Sequence, residues 1–555
     1  MSPKKQPGRN EGKSSRRDFL SSSLKVGAAS LALPAFAQTA GANVGDRAPD
    51  VASFELDEMT LIELQDGMRS GKFTSRGLAN RYLARIAEID KAGPSLNSVI
   101  ELNPEVLGIA DQLDAERKSK GPRGPLHGIP ILIKDNIGTA DRMRTSAGSL
   151  ALAGFTPAHD SGVARRLRQA GALILGKTNL SEWANFRSSH SSSGWSGRGG
   201  QTRNPYATDR NPCGSSSGSG AAVSANLCAL AVGTETDGSI VCPSSANGVV
   251  GIKPTVGLVS RAGIIPVSHN QDTAGPMGRT VADAAALLGA LAGADPADSA
   301  TAASSDKIPA DYTRFLDPKG LHGARIGVLR KTFDFSESVA PVFNTALDAM
   351  RDSGAVLVDI EIGSIGKFDD SEMTAMLYDF KADLNAYLAA AGPKILVSSL
   401  KELIAFNERN RDTEMPYFGQ DLFEKAEAKG PLTEKAYLDA LAKNHRLART
   451  EGIDAAMDKH KLDAIVAPTA GPSWLTDHID GDHDTGGTSS LAAVAGYPNI
   501  HVPAGFVFGM PVGVSFFGRA WSEPQLIRIA YSFEQASHAR RPPRFLPTAN
   551  LTPSV

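Results

Sequence analysis

The run Ile129-Pro-Ile-Leu-Ile-Lys134 restricts the fold more than any other stretch of this chain. It follows the Gly-Pro-rich segment 121–128 and stays apolar until Lys134 closes it. A strand with one wet face alternates apolar and polar residues; a continuous apolar run reads as a strand covered on both faces. Helices and strands then alternate along the chain. Thr60-Leu-Ile-Glu63 reads as a capping box opening a helix, and a second helix begins near Thr74, with Leu78, Tyr82, Leu83, Ile86 and Ile89 at helical spacing. Residues 163–169 predict a helix that Gly171 ends, and 172–175 the strand after it. The small residues of 221–232 are compatible with a helix packed against a sheet. Strand patterns return at 355–358, 464–466, 501–502 and 512–516, and a last helix spans 523 to about 537. The alternation predicts an α/β fold with a central mixed sheet. Residues from about 300 to 460, rich in charged helical patterns, read as a more variable helical insertion or lid.

The N-terminus reads as an address. A basic, polar stretch leads through Ser15-Arg16-Arg17-Asp18-Phe19-Leu20 into a short apolar run that ends in Ala35-Phe-Ala37. These features predict a twin-arginine export signal over 1–37, cleaved after Ala37, and a linker over 38–57. The expected partner is the twin-arginine export machinery, and the expected location is the bacterial periplasm or the medium. No later segment has the ~20 apolar residues of a membrane span. A formal net charge of -2 gives no electrostatic case for nucleic acid. The three cysteines, Cys213, Cys228 and Cys242, follow no metal-binding spacing and suggest no disulfide framework; they read as buried and structural.

Two serine-rich segments compete for a catalytic role. Gly214-Ser-Ser-Ser-Gly218 contains the Gly-x-Ser-x-Gly pattern of a nucleophile elbow centred on Ser216. An elbow needs a strand immediately before it, and the preceding 204–212 carries two prolines and reads as loop. The other segment is Thr236-Asp-Gly-Ser239, where a tight turn can aim consecutive backbone N–H groups at one oxygen. No histidine lies near Ser239 in sequence. The acidic, histidine-bearing stretch 477–484 contains metal-ligand residue types without the spacing of a zinc or calcium motif, and reads as a solvated loop. Trp183, Phe186, Trp195 and Tyr206 read as core residues, with an acyl pocket as a second use for one or two of them.

Taken together, several segments resemble the amidase signature family: Gly128-Ile-Pro-Ile-Leu-Ile-Lys-Asp-Asn136, Gly171-Ala-Leu-Ile-Leu-Gly-Lys-Thr-Asn179, Gly214-Ser-Ser-Ser-Gly218, Gly233-Thr-Glu-Thr-Asp-Gly-Ser-Ile240 and Gly248-Val-Val-Gly-Ile-Lys-Pro-Thr255. The resemblance implies one large domain over 58–545, with a twisted mixed sheet covered by helices on both sides. It implies a serine–cis-serine–lysine triad: Ser239 the nucleophile, Ser215 the bridging serine after a cis peptide, and Lys134 the base. The oxyanion hole would be the backbone N–H groups of Thr236, Asp237, Gly238 and Ser239. Neither metal nor cofactor is implied. Glu235 and Asp237 stand where most members have aspartate and glycine, and with Arg203-Asn-Pro-Tyr206 and Gln271-Asp-Thr-Ala-Gly-Pro276 they look most like the peptide amidase branch. That branch implies short-peptide C-terminal amides as substrates and ammonia as product. A general amidase acting on small aliphatic or aromatic amides is the alternative; the ammonia-generating component of a tRNA-dependent amidotransferase is a third reading, which an export signal would part from its tRNA.

Overall fold

The computed structural model describes residue 49 and residues 51–330, 337–392 and 395–551. The expected export signal and most of the linker lie outside the described residues.

Eleven strands form one mixed sheet. In chain order they are β1 (Val99–Leu102), β2 (Pro130–Lys134), β3 (Leu173–Thr178), β4 (Leu230–Glu235), β5 (Val250–Lys253), β6 (Thr273–Gly278), β7 (Arg325–Val328), β8 (Val356–Asp359), β9 (Ala464–Pro468), β10 (Asn499–Val507) and β11 (Met510–Phe517). Their spatial order is β1-β3-β2-β4-β6-β5-β10-β11-β9-β7-β8. Every residue of β2 is buried, as a doubly covered strand requires. It runs parallel to both β3 and β4, with Ile133 opposite Val232, so the ends of β2 and β4 open at the same edge.

Local chemistry fixes the first helices as expected. Thr60 caps Leu61–Arg69 through a reciprocal capping box with Glu63, and Thr74 caps Ser75–Arg85. The closing helix is Glu523–Ser537. Segment 221–232 differs from its expectation: helix Ser217–Ser224 stops at a left-handed Asn226, and Leu230–Glu235 continues as β4 between β2 and β6. Tertiary pairing overrides the helical compatibility of small residues there. The glycines and serines of that helix serve close approach. A Cβ on Gly218 would lie 2.2 Å from the Ser98 carbonyl oxygen.

Residues 300–460 divide. β7 and β8 extend the sheet. By contrast, helices Asp369–Ala390, Leu400–Arg409 and Asp421–Glu427 gather around a second apolar cluster that takes in Trp183 and Phe186. The helical layer is therefore narrower than the sequence boundary suggests, because 325–328 and 356–359 satisfy their backbone in the sheet.

Candidate active site

β2 delivers Lys134 to the sheet edge fully buried. Its Nζ lies 2.7 Å from Ser215 Oγ, 2.9 Å from Thr234 Oγ1 and 3.2 Å from the Thr234 carbonyl oxygen. Burial lowers its pKa to about 7, against the opposing pull of Asp272 and Glu235. Asp135 points away, as strand alternation requires. Its carboxylate accepts from Ser146 Oγ–H, the Gly148 N–H and Arg198.

Ser215 follows a cis peptide after Gly214, and its carbonyl accepts from the Ser181 N–H at 3.1 Å. Next to it, the Ser216 hydroxyl donates to the Thr234 carbonyl at 3.0 Å and accepts from the Thr234 N–H at 3.1 Å. That clamp ties the serine segment to the end of β4. No strand leads into Ser216, so the elbow geometry is absent among the described residues.

Ser239 sits in the turn beyond β4, 8% exposed. Its carbonyl accepts from the Ser216 N–H at 3.2 Å, which sets the two serine segments side by side. Gly238 takes φ +76°, and the Cys242 N–H donates back to its carbonyl at 2.8 Å. Glu235 is buried, and its Oε2 accepts from the N–H groups of Ile240 (2.7 Å) and Val241 (3.0 Å), so this carboxylate braces the turn from inside. Among the described residues neither the Ser239 hydroxyl nor the N–H groups of Thr236, Asp237, Gly238 and Ser239 have a hydrogen-bond partner.

A cavity of about 410 Å³ opens over Ser239, lined by Gly214, Thr236, Asp237 and Phe186, with Met376 and Leu422 from the helical layer. The layer meets the turn through carboxyl chemistry. Gln271 Nε2 donates to Glu372 at 2.9 Å and to the Thr236 carbonyl at 3.4 Å; from outside the layer, Ser490 Oγ–H donates to Asp237 at 2.6 Å. Burial, and then the charge of Asp237, holds the Glu372 carboxyl well above the usual range; burial likewise raises Asp237. Thr236 Oγ1–H donates to Asp272, whose pKa burial lifts to about 6.

The sequence placed Lys134, Ser215 and Ser239 at one site, and the structure brings their segments together. It missed Thr234, Asp272 and Glu372. Thr234 was within reach as the residue near the end of β4 beside Lys134, but no local signal marks Glu372 on its distant helix. Of the aromatic residues, Phe186 lines the cavity, while Trp183 packs edge-on against Phe423 and Tyr206 tilts against Phe506.

The cysteine expectation is corrected. Cys213 and Cys242 form a disulfide, and Cys228 is free and buried. Their wide separation in sequence hid the pair, which the turn after β4 brings together. In the 477–484 loop, ligand atoms of Asp477, Asp480 and His483 lie within 4.8 Å of one another, the last two exposed. Asp482 anchors this loop by accepting from Ser193, Asn211 and Trp474.

Comparison with known proteins agrees with this geometry. The amidase family profile matches residues 78–527. A probable amidase of Arabidopsis thaliana is 44% identical over 506 residues, covering 89% of this chain and 93% of that protein. The crystal structure of native peptide amidase from Stenotrophomonas maltophilia is 53% identical, covers 89% of this chain and 100% of its own, and superposes with a TM-score of 0.85. A glutamyl-tRNA(Gln) amidotransferase chain from Pseudomonas syringae is more distant, 33% identical over 523 residues, covering 88% of this chain and 100% of that protein.

Proposed function

This chain belongs to the amidase family and hydrolyses amide C–N bonds; from that premise we propose that Ser239 is its nucleophile, Ser215 the proton bridge and Lys134 the base, acting on C-terminal amides of peptides. The observation that carries the triad is the 2.7 Å approach of a buried Lys134 to Ser215. A lysine with pKa near 7 is neutral in a large share of molecules at neutral pH and can take a proton.

Ser239 Oγ attacks the substrate carbonyl while its proton passes to Ser215 and the Ser215 proton passes to Lys134. Charge developing on the carbonyl oxygen meets the uncommitted N–H groups of Thr236, Asp237, Gly238 and Ser239. The lysine returns its proton through Ser215 to the departing nitrogen, ammonia leaves, and water attacks the acyl-serine by the reverse relay.

Two observations support the peptide-amide class. The Stenotrophomonas peptide amidase matches over its whole length. The cavity over Ser239 is lined by Asp237, Asp480, Asp482 and Asp484 and by no lysine or arginine among the described residues. Such a lining favours a neutral amide and disfavours the carboxylate it becomes. The Cys213–Cys242 disulfide supports an oxidising compartment, in keeping with export by the twin-arginine route.

Ammonia release from a C-terminally amidated dipeptide, run beside a small aliphatic amide, tests the substrate class. Turnover of the dipeptide amide is expected. Turnover of the aliphatic amide alone would replace the peptide class by the general-amidase reading. Export is tested separately: Arg16→Lys/Arg17→Lys should leave the precursor in the cytoplasm, and unchanged export would remove the twin-arginine assignment.

A further inference from the structure

We propose that the Cys213–Cys242 disulfide positions the two catalytic serines, so that the hydrolase reaches full rate only while this bond is oxidised. The inference rests on the reading of Ser239 as nucleophile and Ser215 as its bridge.

The bond lies against both serines in the chain. Cys213 immediately precedes the cis Gly214–Ser215 peptide, and Cys242 lies in the first turn of helix Val241–Ala246, just beyond Ser239. Closing it makes a covalent ring that contains Ser215, helix Ser217–Ser224, β4 and Ser239. Outside that ring, Thr236 Oγ1–H donates to Asp272 and Ser490 Oγ–H to Asp237, which hold the near side of the nucleophile turn. Glu235 and the Gly238 carbonyl fix the turn to its own following helix. Toward the Ser215 segment its backbone makes one hydrogen bond, from the Ser216 N–H to the Ser239 carbonyl. The Ser239 hydroxyl has no partner among the described residues, so backbone placement alone aims it.

Cys213 itself needs holding. It adopts φ +55°, a left-handed conformation that a residue with a Cβ enters only where its surroundings impose it. Two restraints act there: the Asn211 side chain accepts from the Cys213 N–H at 2.8 Å, and the disulfide fixes the side chain. Without the second, Asn211 alone holds Cys213, and relaxation there pulls on Gly214–Ser215 against the holds of Ser181, Lys134 and the Ser216 clamp. A shift of about 1 Å between reacting groups is enough to cost roughly 100-fold in rate.

The disulfide borders a cavity, with Cys213 buried and Cys242 partly exposed. Both cysteines line a cavity of about 340 Å³ together with Gly214, Asp237, Gly238 and Trp474. A dithiol reductant can attack there. One reagent thiolate bonds to one cysteine sulfur and expels the other as thiolate; the second reagent thiolate then breaks the mixed disulfide. The reagent closes to its cyclic disulfide and the two cysteines take up protons as thiols. Cys228 is buried elsewhere and takes no part. The same chain would therefore be slow where thiols stay reduced and fast where disulfides persist.

The test uses the mature protein with an amidated dipeptide. It measures kcat, KM and the rate at which a fluorophosphonate labels Ser239, with and without dithiothreitol. Thermal unfolding is followed in parallel. The Cys213→Ala/Cys242→Ala double variant removes the bond permanently, and Cys228→Ser is the control. Reduction and the double variant should each lower kcat about 10- to 100-fold, with KM within about threefold and labelling slowed to match. Reoxidation should restore the wild type, and Cys228→Ser should behave as wild type throughout. A folded double variant with unchanged kcat would overturn the proposal, as would a loss that only follows the unfolded fraction. Ser239→Ala in the oxidised enzyme separates the two levels. If it stays active, the triad reading falls; if it is dead while kcat ignores redox state, only this inference falls.

Discussion

Lys134 stands on a strand end and Ser215 and Ser239 on a covalently closed ring, whereas the helices above them, from Asp369 to Glu427, are held by ion pairs, carboxyl contacts and aromatic rings. Arg187 shows the difference. It is fully buried, forms an ion pair with Glu182, donates to the Glu414 carbonyl oxygen and lies over the Phe418 ring at 4.2 Å. Ser188 and Ser189 donate to Asp421, and His269 pairs with Asp383. The floor combines strand pairing and a disulfide with buried side-chain brackets such as Glu235 and Ser216; the layer is held to it by side-chain contacts and supplies Met376 and Leu422 to the cavity wall. The same division implies that substitutions in the floor should act on kcat and those in the layer on stability or substrate choice.

The sharpest way to break that comparison is to remove floor groups singly. Ser239→Ala, Ser215→Ala or Lys134→Ala should each lower kcat/KM by about 10⁴-fold or more with the fold retained, and the losses should not add in double variants. Ser216→Ala removes only the clamp on Thr234, so its kcat/KM should stay within about tenfold; a dead Ser216→Ala beside an active Lys134→Ala would reinstate the elbow.

At the base of the layer, Arg187→Ala removes the buried partner of Glu182 and the donor to the Glu414 carbonyl, and should cost about 3–5 kcal/mol of stability in thermal or denaturant unfolding. If instead Tm holds and kcat collapses, the layer takes part in the chemistry.

Glu372 joins the two regions. Its folded-state pKa is raised, so its contribution to stability is complete below the ordinary glutamate pKa and is lost as pH rises through the raised value. Glu372→Gln mimics the protonated form and keeps the acceptor for Gln271. Its Tm should decline less than that of wild type over that rise in pH; parallel curves would show that Glu372 does not titrate with folding.

The smallest effect belongs to the exposed Asp480 at the cavity mouth. Asp480→Asn should change kcat/KM for a neutral peptide amide by about twofold or less, because exposed charges are screened.

How far the sequence could be read follows the same line. The apolar run before Lys134, the capping box at Thr60 and the helix from Glu523 were legible because neighbouring residues determine them. Ser239 was singled out through the resemblance of the whole signature, because its own Asp-Gly-Ser segment reads by itself as an ordinary turn. What escaped depends on distant pairing. The strand Leu230–Glu235 needed its partners on either side to override small-residue helicity. The disulfide needed the turn after β4 to bring Cys242 to Cys213. Glu372 reaches the site from the first turn of a helix whose own sequence carries little amphipathic pattern to show which residues turn inward.

The pH dependence of kcat/KM on an uncharged amide tests the central claim, a lysine kept neutral by burial, most directly. With Lys134 lowered to about 7, the neutral fraction grows as pH rises. The rate should therefore climb with pH, reach half its maximum near 7, and level off above about 8. A rate that keeps rising about tenfold per pH unit toward 10 would show a lysine with its ordinary pKa, and the account of the base would be wrong.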